Sequence, residues 1–263
     1  MLAQGDGFQV EDVHCSGGRR GFDRPEHSDG HLLVAVRRGA FVRQVRGREV
    51  LVDGSVAYLG APGSVERFAH PVAGGDVCTA ILLSAPLLAG LAGGDPFVSD
   101  PALPMDAASE VAVRQLSVAA RRRDAAGEIA ERVVRLVAGL LARRQPERVG
   151  SGRPATVAAR RLLVARAREA LLADPAVGLV ELARLAGCSP HHLSRVFSQV
   201  TGMSVTAYRN RLRVFRALQR IADGEPSLAR LAAELGFADH AHLARTIRAA
   251  TGRTPAECRG LLA

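Results

Sequence analysis

Two kinds of hydrophobic pattern divide the chain. Between residues 30 and 83, short apolar runs alternate with turn signals such as Arg38-Gly39 and Asp53-Gly54. Runs at intervals of roughly 8–12 residues are typical of an antiparallel β-sandwich or barrel. The predicted strands are Leu32–Val36, Phe41–Val45, Val50–Val52, Val56–Leu59 and Val77–Leu83. A glycine- and proline-rich stretch, Gly90 to Pro104, ends this region.

From Asp106 onward the apolar positions follow a helical period. A first helix is predicted at about Ala107–Ala120, and Arg121–Asp124 separates it from a second helix. The second helix carries one apolar face, made of Ile129, Val133, Leu136, Val137 and Leu140. Such a hairpin either packs back on the sheet or pairs with the same helices of a second chain, and both alternatives stay open here.

The strongest linker signal lies at residues 145–154, which are polar and contain two glycines and two prolines. Everything after it has a helical pattern. The sequence therefore predicts a β-rich domain over residues 1–105, a helical dimerisation segment over 106–144, a linker over 145–154 and an all-α domain over 155–263. The fold class is α+β.

Charge changes at the same boundary. Residues 1–152 contain 18 arginines and 18 acidic residues, whereas residues 153–263 contain 17 arginines and 8 acidic residues. The whole excess of +9 lies in the C-terminal part, and there is no lysine. A neutral domain joined to a basic one indicates that the second domain meets a polyanion such as nucleic acid.

The remaining composition limits the class of protein. No apolar run is long enough to cross a bilayer, and the first residues do not resemble a secretory signal. Four cysteines, Cys15, Cys78, Cys188 and Cys258, are scattered without metal or disulfide spacing. We therefore expect a cytoplasmic protein without a membrane partner.

An internal repeat decides the interpretation of the C-terminal domain. Arg195, Gly202 and Arg209 recur 50 residues later as Arg245, Gly252 and Arg259. Within each unit, a short helix ends at a glycine, a polar break follows, and a second helix begins. The first helices are predicted at Leu179–Ala186 and Leu228–Leu235. This is the layout of a helix-turn-helix, whose second helix enters the major groove.

The second unit resembles the AraC-type (AraC/XylS) transcription regulators. The resemblance rests on the segment from Leu235 through Arg245 and on its continuation from Thr251 through Pro255 to Arg259. It implies two helix-turn-helix units joined by one long helix, about Val205–Ala222, with recognition helices at about Pro190–Val200 and Asp239–Ala249. It also implies a cupin-like N-terminal effector domain.

The resemblance and the groove-facing positions predict the residues that contact DNA. Arg195 and Arg245 are the first candidates, since arginine binds guanine bidentately. The alternatives for these two are a phosphate contact or a surface ion pair. Weaker candidates reach base edges or phosphates, and some of them pair inside the fold instead. They are His191, Ser194, His240, His242, Arg209 and Arg259.

The predicted function is a sequence-specific, DNA-binding transcription regulator, an activator that responds to a small-molecule effector. Its expected partners are double-stranded DNA, a second copy of the chain, RNA polymerase and the effector, with no cofactor. Six residues invite a cupin-type metal site, but their spacings match no standard ligand motif, so no metal site is predicted. They are His14, Cys15, His27, His31, His70 and Cys78.

Two other functions fit the same sequence. One is a cupin-type metal-dependent enzyme with an accessory DNA-binding module, which needs a His/Glu triad on facing strands. The other is a ligand-independent DNA-bending regulator, which a β-domain filled by its own side chains would favour. We expect a regulator and not an enzyme, because no such triad spacing is evident.

Overall fold

The computed structural model describes residues 1–16, 21–93, 102–143 and 153–262. Within these ranges an N-terminal antiparallel β-sandwich is followed by helices, which confirms the α+β class. The strands are β1 (Ala3–Gly5), β2 (Phe8–Cys15), β3 (Glu26–His27), β4 (His31–Arg38), β5 (Phe41–Val45), β6 (Arg48–Val52), β7 (Val56–Gly60), β8 (Val65–Ala69), β9 (Asp76–Leu83) and β10 (Ala102–Pro104).

Two sheets face each other in the sandwich. One has the strand order β1-β2-β9-β4-β7-β10, and the other has the order β3-β8-β5-β6. All five predicted strands are confirmed. The prediction was wrong in starting the β-region at residue 30, because β2 pairs along its whole length with β9, from Phe8 with Leu83 to Cys15 with Asp76. It also missed β8.

The helices follow the sandwich, apart from one that precedes β10. They are α1 (Ala85–Ala92), α2 (Ala107–Arg122), α3 (Ala126–Ala142), α4 (Pro154–Ala173), α5 (Leu179–Ala186), α6 (Pro190–Thr201), α7 (Val205–Ala222), α8 (Leu228–Glu234), α9 (His240–Thr251) and α10 (Pro255–Leu262). The predicted bounds of α5 and α7 agree with the structure. Of the predicted linker, residues 145–152 lie outside the described residues, so the domain boundary there stays a prediction.

The apolar face of α3 packs on the outer face of the six-stranded sheet. Val133, Val137 and Leu140 are fully buried there, in one core with Leu33 and Ile81 of the strands. The hairpin therefore packs back on its own sheet. The chain itself covers this apolar face, and dimerisation through residues 106–144 stays a prediction.

The space between the two sheets is filled by side chains. Phe215, which belongs to α7 in the C-terminal domain, is buried in the same cluster. The cluster takes its other buried members from both sheets. They are Val34, Val36, Phe41, Val52, Tyr58, Cys78 and Ala80. A residue of the C-terminal helical part thus closes the interior of the sandwich.

The C-terminal helices form two small cores that share α7. The first core unites α4, α5, α6 and the first half of α7, and it also contains Ala40 and Leu51 of the sandwich. The second unites the rest of α7 with α8, α9 and α10, and it also contains Ala107 and Val111 of α2. Each unit therefore rests on a different part of the N-terminal domain. No helix among the described residues is long and apolar enough to cross a membrane.

Gly54, in the turn between β6 and β7, lies directly against the Phe215 ring. A Cβ atom at this position would overlap the ring, and Phe215 is only 4% exposed, so the ring has little room to move. We expect Gly54→Ala to lower the free energy of unfolding by about 1–3 kcal/mol through overpacking, measured by urea denaturation.

Gly139 in α3 is the matched control, because nothing lies within 4 Å of a Cβ added there. Gly139→Ala should be neutral or stabilising, by up to about 1 kcal/mol. Adding Phe215→Leu to Gly54→Ala should recover part of the loss. A Gly54→Ala protein as stable as the wild type would contradict this packing.

Candidate nucleic-acid interface

The turn of each helix-turn-helix is fixed by its caps. Gly187 ends α5 in the left-handed conformation, with a φ of 76°, and Gly236 follows α8 with a φ of 72°. The Ser189 hydroxyl then accepts a hydrogen bond from the His192 amide at the start of α6. Asp239 does the same for His242 at the start of α9. Glycine C-caps and Ser or Asp N-caps place the two helices at a defined angle.

The repeat extends to individual hydrogen bonds at the ends of the second helices. The Thr201 hydroxyl donates to the Phe197 carbonyl over 2.8 Å, and Gly202 then ends α6 with a φ of 75°. The Thr251 hydroxyl donates to the Ile247 carbonyl over the same 2.8 Å, and the next residue, a glycine, ends α9 in the same way. The two units are thus duplicates in detail as well as in outline.

Arg209 and Arg259 occupy equivalent positions and make equivalent contacts. Arg209 donates to the Val177 carbonyl over 2.7 Å, which ties α7 to the loop before α5. Arg259 donates to the Glu225 carbonyl over 3.0 Å, which ties α10 to the loop before α8. Both side chains are half-buried. These guanidinium groups hold loops of the fold, and their contact with DNA stays a prediction.

The second helix of each unit presents a basic, exposed face. Arg195 and His191 are exposed on α6, as are Arg245 and His240 on α9. The opposite faces are anchored by buried Leu193, Val196 and Phe197 in α6 and by Leu243 and Ile247 in α9. An anchored helix with an exposed early polar face is the geometry that enters a major groove.

Two of the weaker candidates on the same helices, Ser194 and His242, are half-buried and therefore less exposed than the two arginines. The His242 ring packs edge-on against Phe237 with 5.4 Å between centroids, and its Nδ1 accepts a hydrogen bond from the Ala238 amide. The fold therefore already occupies one face and one nitrogen of this histidine.

Sequence reasoning missed two exposed arginines beside α9. Arg248 lies three residues after Arg245, on the same side of the helix, and Arg253 follows Gly252 in the next turn. The i, i+3 spacing from Arg245 was the available signal for the first. Both are exposed in the second helix-turn-helix unit.

Comparison with known proteins agrees with this geometry. Residues 182–260 match a family model described as a helix-turn-helix domain. No curated protein matches the chain.

Several solved structures are similar to the chain. One is unsaturated fatty acid-bound wild-type ToxT from Vibrio cholerae, 10% identical, which covers 100% of this chain and 98% of that one with a TM-score of 0.40. An AraC-type transcriptional regulator from Chromobacterium violaceum is 26% identical over 40% of this chain and 96% of that one, with a TM-score of 0.38. A cupin superfamily protein from Desulfitobacterium hafniense is 17% identical over 31% and 72%, with a TM-score of 0.27.

Two duplicated helix-turn-helix units with exposed arginines on their second helices define a DNA-binding protein. The family match spans both units, from Leu182 in α5 to Gly260 in α10. Residues 182–260 therefore form the helix-turn-helix domain of a DNA-binding transcription regulator.

A buried carboxylate joins this DNA-binding domain to the sandwich. Asp53 is 0% exposed at the turn between β6 and β7. Arg168 of α4 donates to its Oδ2 over 2.7 Å, and the Tyr208 hydroxyl of α7 donates to the same oxygen. On the other side, the Ser55 amide and hydroxyl donate to Oδ1 over 2.8 and 2.6 Å.

These partners keep Asp53 ionised. Burial alone would raise the pKa of the Asp53 carboxyl, but the charge of Arg168 and the hydrogen bonds from Ser55 and Tyr208 outweigh it and lower the pKa below its usual value. For Arg168, burial opposes the charge, yet Asp53 and Tyr208 raise its pKa. Burial and the neighbouring Asp53 also raise the pKa of Tyr208. The pair is thus a fully charged contact inside the interface.

A second set of contacts surrounds Phe215. Arg211 of α7 donates to the Gly54 carbonyl over 3.3 Å. Arg114 of α2 lies over the Phe215 ring, 5.6 Å from its centroid, and donates to the buried Glu110 carboxylate over 3.2 Å. Burial raises the pKa of Glu110 even though Arg114 and Arg211 oppose the shift. The turn between β6 and β7 and helix α2 therefore both contact α7.

A cleft of about 220 Å³ opens beside this contact, with walls from both domains. Val50 and Ser55 line it from the sandwich, and Ala165 and Met203 line it from the DNA-binding domain. Arg168 and Tyr208 also reach it. A molecule bound in this cleft would touch the residues that hold the two domains together.

Removing the Asp53 charge should destabilise the protein. Asp53→Asn leaves the guanidinium of Arg168 buried without its counter-ion, and we expect a loss of about 3–5 kcal/mol in the free energy of unfolding at pH 7. Because the folded-state pKa of Asp53 is lowered, its stabilisation is present above the unfolded pKa of about 3.9 and is lost as pH falls through the folded value. The difference between the two proteins should therefore shrink below about pH 4.

Denaturation of both proteins across pH 3–7, followed by circular dichroism, measures this. Asp29→Asn is the control, because Asp29 is exposed in a loop and its loss should change stability by no more than about 0.5 kcal/mol. A constant difference between wild type and Asp53→Asn at all these pH values would show that the charge of Asp53 does not stabilise the fold.

Proposed function

We propose that the chain is a sequence-specific regulator that reads two adjacent major-groove segments, one with each recognition helix. The observation that carries this is the exposure of Arg195 and Arg245 at equivalent positions of duplicated units. The rigid α7 between them has 18 residues, about 27 Å at 1.5 Å per residue. That is close to the roughly 34 Å of one DNA turn, so both helices can meet one face of the duplex.

Each candidate residue has a proposed role in this complex. Arg195 and Arg245 bind guanine edges, and His191 and His240 reach base edges or phosphates at the start of each helix. Ser194 and His242 contact DNA from less exposed positions. Arg248 and Arg253 neutralise phosphates. Any mismatch between the spacing of the helices and the DNA pitch is met by bending the duplex.

We further propose that the N-terminal domain restrains the DNA-binding domain until a small-molecule effector binds. Side chains fill the sandwich interior, so we place the effector in the cleft between the domains. The volume of this cleft is below the roughly 300–1,000 Å³ of typical ligand pockets, which favours a small ligand. Binding there acts directly on Arg168 and Tyr208, and so shifts the population of the docked state.

The filled interior also favours the ligand-independent regulator as a second candidate. The enzyme alternative is less supported. In the described part of the sandwich, the neighbouring strands β5 and β8 carry a buried ion pair in place of metal-binding histidines. Arg43 of β5 donates to Glu66 of β8 through two hydrogen bonds of 2.8 Å. A bidentate ion pair stabilises the fold and offers no nucleophile or acid for a reaction.

The remaining partners are proposed on function alone. A homodimer would double the DNA footprint and make binding cooperative, and sedimentation velocity tests it. An activator also contacts RNA polymerase. We place the protein in the cytoplasm, where its DNA is found.

Replacing the groove-facing arginines should weaken specific binding selectively. We expect Arg195→Ala or Arg245→Ala to cost about 1–3 kcal/mol on an operator recovered by genomic footprinting, and little on random DNA, because guanine contacts are lost. Fluorescence anisotropy at fixed salt measures both affinities. Equal losses on the two DNAs would mean that the arginines contact only phosphate.

Arg248→Ala and Arg135→Ala complete the comparison. Arg248→Ala should lower the affinity for operator and for random DNA equally. It should also lower the slope of log K against log salt by about 0.9, the value for one phosphate contact. Arg135 lies on the exposed face of α3, paired with Glu131, and its loss should leave both affinities unchanged. A DNA-binding defect in Arg135→Ala would place the interface elsewhere.

Loosening the interface from the sandwich side should raise operator affinity. Asp53→Asn and the milder Gly54→Ala lie outside the DNA-binding domain, so they leave its surface intact while populating the released state. If the docked state binds weakly, affinity rises by the factor by which the released fraction grows, and we expect about fivefold or more, measured with folded protein at low temperature.

Asp29→Asn should bind as the wild type does. Unchanged affinity in both interface variants would mean that the interface is purely structural and would support the ligand-independent regulator. A fall in affinity would mean that docking orders the two units for DNA.

A further inference from the structure

Three potential metal ligands converge at one end of the sandwich. Cys15 ends β2, Asp76 begins β9 directly opposite it, and His70 follows β8. One donor atom from each lies within 4.8 Å of the other two. Across the part of the chain that the structure describes, this is where three such donors come together. The sequence named Cys15 and His70 among its candidates, but it did not include Asp76 and predicted no metal site, because the three residues are 55 and 6 positions apart.

The strand register directs these groups inward. Cys15 and Asp76 are cross-strand partners and therefore project to the same side of the sheet. Cys78, two residues along β9, is buried in the interior cluster on that side. The three donor residues therefore lie at the edge of the apolar interior of the sandwich. The His70 ring packs on Phe41 of that interior, with 6.1 Å between the ring centroids.

The group is largely shielded from water and rich in negative charge. Asp76 is 2% exposed and His70 is 8% exposed. His70 Nδ1 lies 2.5 Å from Asp76 Oδ2, and His70 Nε2 lies 3.8 Å from Asp23 Oδ2.

A divalent cation would offset the negative charge of this group. It stabilises the thiolate and the carboxylate together, and the thiol proton is released to solvent on binding. Thiolate, imidazole and carboxylate are the ligand types that Zn²⁺ takes, at about 2.3, 2.0–2.1 and 2.0–2.2 Å. Tetrahedral ligands at those lengths lie roughly 3.5 Å apart. The direct 2.5 Å contact between His70 and Asp76 would therefore open, and donors up to 4.8 Å apart would move closer.

We propose that Cys15, His70 and Asp76 form a binding site for Zn²⁺ or a closely related divalent ion. Three protein ligands leave a fourth position, which water or the neighbouring Asp23 carboxylate fills. The ion would cross-link β2, β9 and the loop after β8 at the end of the sandwich. This site is independent of the function proposed above, and its presence assigns no reaction.

Zn²⁺ alone, titrated into the full-length wild-type protein by calorimetry, should bind at one equivalent. Cys15→Ser should weaken binding by more than about 100-fold, beyond the loss typical of a residue that only supports a ligand. With Co²⁺ in place of Zn²⁺, the wild type should show the thiolate-to-metal absorption band and Cys15→Ser should lack it. Cys188→Ser and His14→Gln are the matched controls and should bind as the wild type does.

The proposal is overturned if the wild type takes up no Zn²⁺, if Cys15→Ser binds as tightly, or if a control variant loses the site. A measurement on the wild type alone covers the case in which Cys15→Ser does not fold. One equivalent of Zn²⁺ should protect Cys15 from alkylation, read by mass spectrometry, and should leave Cys188 reactive. Equal alkylation of Cys15 with and without Zn²⁺ would also reject the site.

Discussion

The arrangement of the whole molecule depends on one buried carboxylate. An ionised Asp53 with 0% exposure is tolerated only if its charge and lone pairs are met by partners, because an unpaired buried charge costs several kcal/mol. The turn supplies Ser55 for one oxygen, and the other oxygen requires Arg168 and Tyr208. Those two residues fix α4 and α7 against the sandwich. Since α7 belongs to both helix-turn-helix units, this turn of the β-domain helps to orient both of them, and the second unit also rests on α2.

The same constraint explains which features were predictable from the sequence. Asp53-Gly54 is a recognisable turn signal, but its partners lie 115 and 155 residues away, and no local pattern connects them. The helix-turn-helix units were predictable because their determinants are local: a glycine C-cap, a Ser or Asp N-cap and an apolar stripe on the second helix. β8 was missed because its buried Glu66 breaks the hydrophobic pattern, and that burial is made acceptable by Arg43 on the neighbouring strand and by the Ser64 hydroxyl.

The helical hairpin shows a different limit of sequence reasoning. The period of α3 predicts an apolar face correctly, but a period does not name the surface that covers the face. In the structure the sheet covers it. The neighbouring helix α2 packs on two different cores. Val113 and Leu116 pack on the sheet, whereas Ala107 and Val111 enter the core of the second DNA-binding unit. A helix with two apolar surfaces is a bridge between domains, and its sequence alone resembles that of a dimerisation helix.

Charge in the C-terminal domain is likewise shared between two tasks. The excess of arginine indicates a polyanionic partner, yet Arg168, Arg209, Arg216 and Arg259 all donate to groups inside the protein. Arginine suits both tasks, because its guanidinium stays charged when buried and satisfies several acceptors at once. A count of arginines therefore overstates the number of phosphates that the domain neutralises. The buried arginines hold the helices of the domain in place, so the salt dependence of DNA binding should reflect the exposed arginines.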